Sequence, residues 1–112
     1  MMEPVNAASF HELVASHPIV IIHFWADWNL IDRTMDSVLA NLRPKFIEQI
    51  DFFSFDTSQE KGSDICRQCN ILNLPALVCF INGQLQETFT GLRTEQELEE
   101  KFSAWEKLSG CT

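Results

Sequence analysis

Cys66 and Cys69 stand three apart in Asp64-Ile65-Cys66-Arg67-Gln68-Cys69. That is a spacing at which two thiols can close a disulfide or exchange with one. Two readings stay open. In the first, both side chains point inward beside Ile65 as small buried hydrophobes, since free cysteine is among the most buried residue types. In the second they form a reversible redox pair or oxidant sensor. This becomes feasible if Ser63 is a helix N-cap and Cys66 lies in the first turn, where the helix dipole lowers a thiol pKa. Cys79 falls in an apolar run and reads as inert core, while Cys111 lies unpartnered in the tail. His11, His17 and His23 show no ligand spacing with one another or with a cysteine, so neither a metal nor a cofactor is expected. His23 interrupts the most apolar stretch of the chain, where an imidazole needs a hydrogen-bond partner or a lowered pKa.

The elements that must position these groups belong to one domain, taken as residues 1–112 with 1–5 and 109–112 as flexible ends. The chain has 112 residues, and its 8 Lys and Arg against 16 Asp and Glu give a net charge of −8. Such a length suffices for a single core without disulfide or metal staples. The acidic balance opposes phosphate backbones and anionic membranes, so neither nucleic acid nor membrane is an expected partner. Residues 18–26 form the longest apolar stretch, interrupted by His23 and far short of the ~20 residues a bilayer requires. No basic segment precedes an apolar one at the start, and four cysteines are too few and too clustered for a secreted disulfide framework. Reduced thiols and a cytoplasmic setting are expected.

Ser9 and Glu12 have capping-box spacing ahead of Phe10, Leu13 and Val14, which predicts a short first helix ended by Pro18. Ile19–Trp25 is β-branched and aromatic with no polar alternation except His23, the pattern of a central strand buried on both faces. From Asn29 the period turns helical through Ile31, Met35, Val38, Leu39, Leu42, Phe46 and Ile47, with a kink or break near Arg43 forced by Pro44. Asp51–Asp56 reads as a strand, and the polar loop 57–63 leads to a short helix ending near Asn70. Ala76–Ile81 and residues 85–90 flank Asn82-Gly83, a hairpin signal. Thr94 and Glu97 repeat the capping-box spacing before a helix with the apolar stripe Leu98, Phe102, Trp105 and Leu108.

Three groups of residues, in this order, are similar to the thioredoxin family over almost the whole chain. Phe24-Trp25-Ala26-Asp27-Trp28 resembles the family's Phe-Trp-Ala-x-Trp strand end; Leu74-Pro75 resembles the apolar residue and cis-proline after the third helix; and Asn82-Gly83 with Gly91 resembles the hairpin and the following glycine. The resemblance implies a thioredoxin-fold α/β domain: a central mixed sheet flanked by helices, with the cis-proline loop ahead of the hairpin. The loop between Asp56 and Pro75 is longer than usual.

Where the family carries Trp-Cys-Gly-Pro-Cys, this chain reads Trp28-Asn29-Leu30-Ile31-Asp32. Asn29 and Asp32 can supply neither an attacking thiolate nor a resolving thiol. The resemblance also sets His23 where the family keeps a buried Asp that assists proton transfer, and Phe52 roughly where a Lys partners it. As a vestigial site, Asn29 and Asp32 suit a helix cap instead, Asn as N-cap and Asp at the positive end of the dipole, together about 1 kcal/mol.

What the resemblance preserves is the peptide groove, at Trp28, Leu30, Ile31, Leu74, Pro75 and Leu92, all apolar. An exposed apolar patch marks an interaction site unless it folds onto the core or is covered in a homodimer. The expected function is thus a redox-inactive module for a protein or extended peptide. Two alternatives stand beside it: a thiol oxidoreductase using Cys66 and Cys69, and a structural or dimerisation domain.

Overall fold

Aromatic and β-branched runs become the strands of a five-stranded sheet. The computed structural model describes residues 2–27 and 31–108, without the side chains of Ile31 and Asp32. The strands are β1 (Glu3–Pro4), β2 (Ile19–Trp25), β3 (Asp51–Asp56), β4 (Ala76–Ile81) and β5 (Gln84–Thr90), and the helices are α1 (Phe10–Ser16), α2 (Ile31–Phe46), α3 (Gly62–Gln68) and α4 (Glu95–Leu108). The sheet order is β1-β3-β2-β4-β5. β1, β3 and β2 run parallel, while β4 is antiparallel to β2 and β5 to β4. This is the mixed, helix-flanked sheet expected, with β2 at its centre. Among the described residues no helix is long and apolar enough to cross a membrane.

Because successive side chains of a strand point to opposite faces, β2 divides the core. Ile19 and Ile21 join Met35, Leu39 and Leu42 of α2 and Leu98, Phe102 and Trp105 of α4 on one face. Val20, Ile22 and Phe24 join Phe10 and Val14 of α1 and Ile65 of α3 on the other. Phe10 sits at the middle of the second layer, with its ring centroid 5.9 Å from Phe55 and 5.7 Å from Phe80, both edge-on.

Helix ends and chain ends depart from the sequence expectations in several places. Residues 1–5, read as a loose end, contain β1, with Met2 and Val5 buried on either side of it. Ser9 makes no side-chain cap on α1. The turn is closed instead by Asn6, whose Oδ1 accepts from the Ser9 N–H at 2.9 Å and from Ser9 Oγ at 3.0 Å. α2 runs through Pro44 to Phe46 rather than breaking at Arg43. The proline sits in the last turn, where little helix remains to be disrupted. Ile47 and Leu108, assigned to apolar stripes, are 52% and 60% exposed.

Two expected devices are present. Thr94 Oγ1 accepts from the Glu97 N–H at 3.1 Å while Glu97 Oε1 accepts from the Thr94 N–H at 3.3 Å, a reciprocal capping box opening α4. Asn82 and Gly83 have φ of 52° and 81°, the two positive angles of a type I′ hairpin turn. Beyond it, Phe80 pairs with Leu85 but Cys79 pairs with Glu87, so Gln86 is an extra, bulged residue on β5.

Candidate functional site

At the carboxyl end of β2 several chain segments meet. Thr57, just past β3, donates from its N–H and its Oγ1 to the Trp25 carbonyl, each at 3.0 Å. The Leu74–Pro75 peptide is cis. Gly91, at φ 89°, donates its N–H to the Pro75 carbonyl at 2.8 Å, a backbone angle that L side chains seldom adopt. Trp25, Thr57, Leu74, Pro75 and Leu92 are thereby gathered at one end of the sheet.

The groove residues expected from the sequence fare differently. Leu92 is 45% exposed. Leu74 is half-buried and packs against the α1/α3 layer, and Pro75 is buried, so both are partly drawn into the core they were expected to overhang. Trp28, Asn29 and Leu30 lie outside the described residues, as do the side chains of Ile31 and Asp32, of which the backbone forms the first turn of α2.

The positions of the supporting shell are now concrete. His23 is 2% exposed, aligned between Ser54 of β3 and Leu77 of β4, and its Nδ1 stands 3.8 Å from Oδ1 of Asp36 on α2. Phe52 is buried against the α4 layer with its ring 5.7 Å from that of Phe102. An aromatic ring there holds α4 to the sheet and has no proton to give.

The cysteine pair sits on α3 and its cap. Ser63 is not the N-cap: that position is Lys61, with φ 66°, and the helix begins at Gly62. A Cβ on Gly62 would come 2.5 Å from the Thr57 carbonyl oxygen, so the close pass of the loop over the helix start requires glycine. Cys66 is consequently the fifth residue of a seven-residue helix, beyond the first turn where the dipole would favour its thiolate. Burial pushes the Cys66 thiol up, and burial followed by the neighbouring Cys66 pushes Cys69 up to about 12. Both are free thiols, and Cys69 is 1% exposed. Cys79 is buried in β4 and its thiol is raised as well, first by burial and then by Glu87.

A raised thiol pKa leaves less thiolate, the form that reacts. For Cys69, the shift from 9.0 to about 12 corresponds to a roughly 10³-fold smaller thiolate fraction near neutral pH. Native-state alkylation by iodoacetamide, followed by mass spectrometry, should therefore modify Cys69 at least ~10²-fold more slowly than in urea-unfolded protein. Cys66 should fall between the two. Fast native labelling of Cys69 would contradict its inert placement.

α3 closes in a way the sequence did not signal. Asn70 takes the left-handed conformation at φ 61°, and the N–H groups of Asn70 and Ile71 donate to the carbonyls of Arg67 at 3.1 Å and Cys66 at 2.9 Å. This is a Schellman motif with asparagine in glycine's place. It turns the chain outward, leaving Leu72 88% exposed beside an open hollow of about 520 Å³. Sequence reasoning passed over Leu72; the signal was an asparagine closing a helix just before an isolated leucine. Among the described residues no three His, Cys, Asp or Glu side chains come together to hold a metal ion.

Comparison with known proteins places this geometry. A thioredoxin from Listeria monocytogenes is 25% identical over 105 residues, covering 94% of this chain and 99% of that protein. A chloroplastic thioredoxin M-type from Spinacia oleracea is also 25% identical over 105 residues, covering 93% of this chain and 57% of that protein. The chain thus spans little more than half the length of the spinach relative. The crystal structure of oxidised mitochondrial thioredoxin 3 from Saccharomyces cerevisiae superposes with a TM-score of 0.80 at 22% identity, covering 92% of this chain and 94% of that one. Together with a match of residues 1–104 to the family model described as Thioredoxin, the cis Leu74–Pro75 peptide and the β1-β3-β2-β4-β5 sheet belong to a chain that is a member of the thioredoxin family.

Proposed function

We propose that this member of the family is a binding module for a protein or an extended peptide, without dithiol exchange at the usual site. The observation that carries the reading is chemical: Asn29 and Asp32 occupy the positions that the resemblance gives to the two cysteines. The acid–base shell supports it, since Phe52 is core and His23 lies against Asp36 instead of donating from a carboxyl. Partner contact falls to Leu74, Pro75 and Leu92, to which the resemblance adds Trp28, Leu30 and Ile31. A cytoplasmic setting accords with the reduced thiols but is part of the proposal.

A second reading, an atypical thiol oxidoreductase, is favoured by one observation: Cys66 is half-buried in the wall of the hollow beside Leu74, within reach of a small oxidant. Insulin disulfide reduction with dithiothreitol as electron source separates the two. The wild type should not exceed the background rate, and Cys66→Ser with Cys69→Ser should change nothing. Turnover lost in that double variant would install the second reading; turnover surviving it would overturn both.

A further inference from the structure

The hollow beside α3 lies outside the groove positions that the resemblance assigns, apart from their shared Leu74. Its walls combine Thr57 with Cys66, Arg67, Ile71, Leu72 and Leu74. The apolar part is built by the helix ending: the Schellman turn packs Ile71 back toward Cys66 and throws Leu72 out, more exposed than any other large apolar side chain of the described residues. A leucine held 88% in water beside apolar neighbours gains by burial under a partner, at the usual rate per unit of apolar area.

Charge narrows the partner. Arg67 is the one ionisable cation in the wall, and it is already paired with Asp64 on the same helix. Asp56 immediately precedes Thr57, and the exposed Asp27 lies two residues beyond Trp25, to whose carbonyl Thr57 is bonded. The mouth of the hollow therefore carries a surplus of carboxylates, in a chain of net charge −8. Such a field draws in cationic segments and repels acidic ones. A volume of about 520 Å³ takes a few side chains, a short segment and not the face of a folded domain.

We propose that this hollow binds an apolar side chain of a lysine- or arginine-bearing peptide segment, laid across Leu72 and Leu74 as an extension of the family groove. The inference rests on the binding-module reading above and adds the chemical class of its partner. Leu72 supplies apolar contact, and Asp27, Asp56 and Asp64 select the flanking cations.

The test uses the full chain and fluorescein-labelled synthetic hexapeptides read by fluorescence anisotropy: one of alternating Leu and Lys, one with Glu for Lys, and one with Ser for Leu. The Leu–Lys peptide should bind at least about tenfold more tightly than either of the others, and added salt should weaken it. Leu72→Ser should weaken it by about tenfold while leaving the melting temperature unchanged, because that side chain is almost wholly solvated. Equal or tighter binding of the Glu peptide overturns the charge argument, and no binding by any of the three overturns the proposal. If Leu72→Ser binds like wild type and Leu92→Ser does not, the hollow is excluded while the groove reading stands. Insulin turnover, by contrast, strikes the groove reading alone.

Discussion

Replacing Phe102 with alanine should lower the unfolding free energy by about 3–5 kcal/mol, seen as a fall of roughly 15 °C in melting temperature. Phe102 is 0% exposed and stands where three elements meet. Its ring lies 5.5 Å from Phe46 of α2, 5.7 Å from Phe52 of β3 and 5.7 Å from Trp105 of its own helix. Truncation removes apolar burial and leaves a space between a sheet and two helices, whose backbones are too constrained to collapse into it. Leu108→Ala, on the same helix but 60% exposed, provides the control and should change stability by no more than about 0.5 kcal/mol. Equal effects at the two positions would mean that α4 is not docked as described.

Asn29→Cys combined with Asp32→Cys should yield a disulfide on oxidation but a poor reductase, at least about 10²-fold slower than an ordinary thioredoxin in the insulin assay. The resemblance gives these positions the family's cysteines, and position 32 falls in the first turn of α2, where the dipole favours a thiolate. Proton transfer is the missing part. General acid–base assistance is worth about 10²–10⁴ in rate, and the site offers a buried imidazole 3.8 Å from Asp36 in place of a carboxylic acid. Leu30-Ile31 also replaces the Gly-Pro between the cysteines. A rate equal to that of a thioredoxin would show that neither substitution matters.

The strands were legible because burial on both faces leaves an unbroken signature: the bounds of β2, β3 and β4 coincide with the apolar runs that predict them. The type I′ turn and the α4 capping box were legible for a different reason, being local chemistry within four residues. What escaped depended on contacts distant in sequence. β1 is two residues long and exists because Glu3 and Pro4 lie beside Phe53 and Ser54, some fifty positions on. The start of α3 is set by the Thr57 carbonyl pressing on Gly62, so Ser63, a good capping residue by type, has no end to cap. Part of the long loop is held by Gln59, whose Oε1 accepts from the Ala7 N–H at 2.8 Å and whose Nε2 donates to the Asp56 carbonyl at 2.8 Å. The groove was read through position alone, which cannot tell that Leu74 leans into the core while Leu72 stands clear of it.

Gln86 has a consequence beyond the hairpin. β5 forms one margin of the sheet, and a second strand arriving there needs an even row of backbone groups to copy. The bulge divides that row into Gln84 and Leu85 on one side and the four residues 87–90 on the other. A flat ladder of the sort that templates fibrils cannot be laid down across the break, nor can two copies fuse their sheets through β5 into one continuous ribbon. One surplus glutamine thus acts as a guard against polymerisation, at the margin farthest from β1 and independent of anything held at the groove.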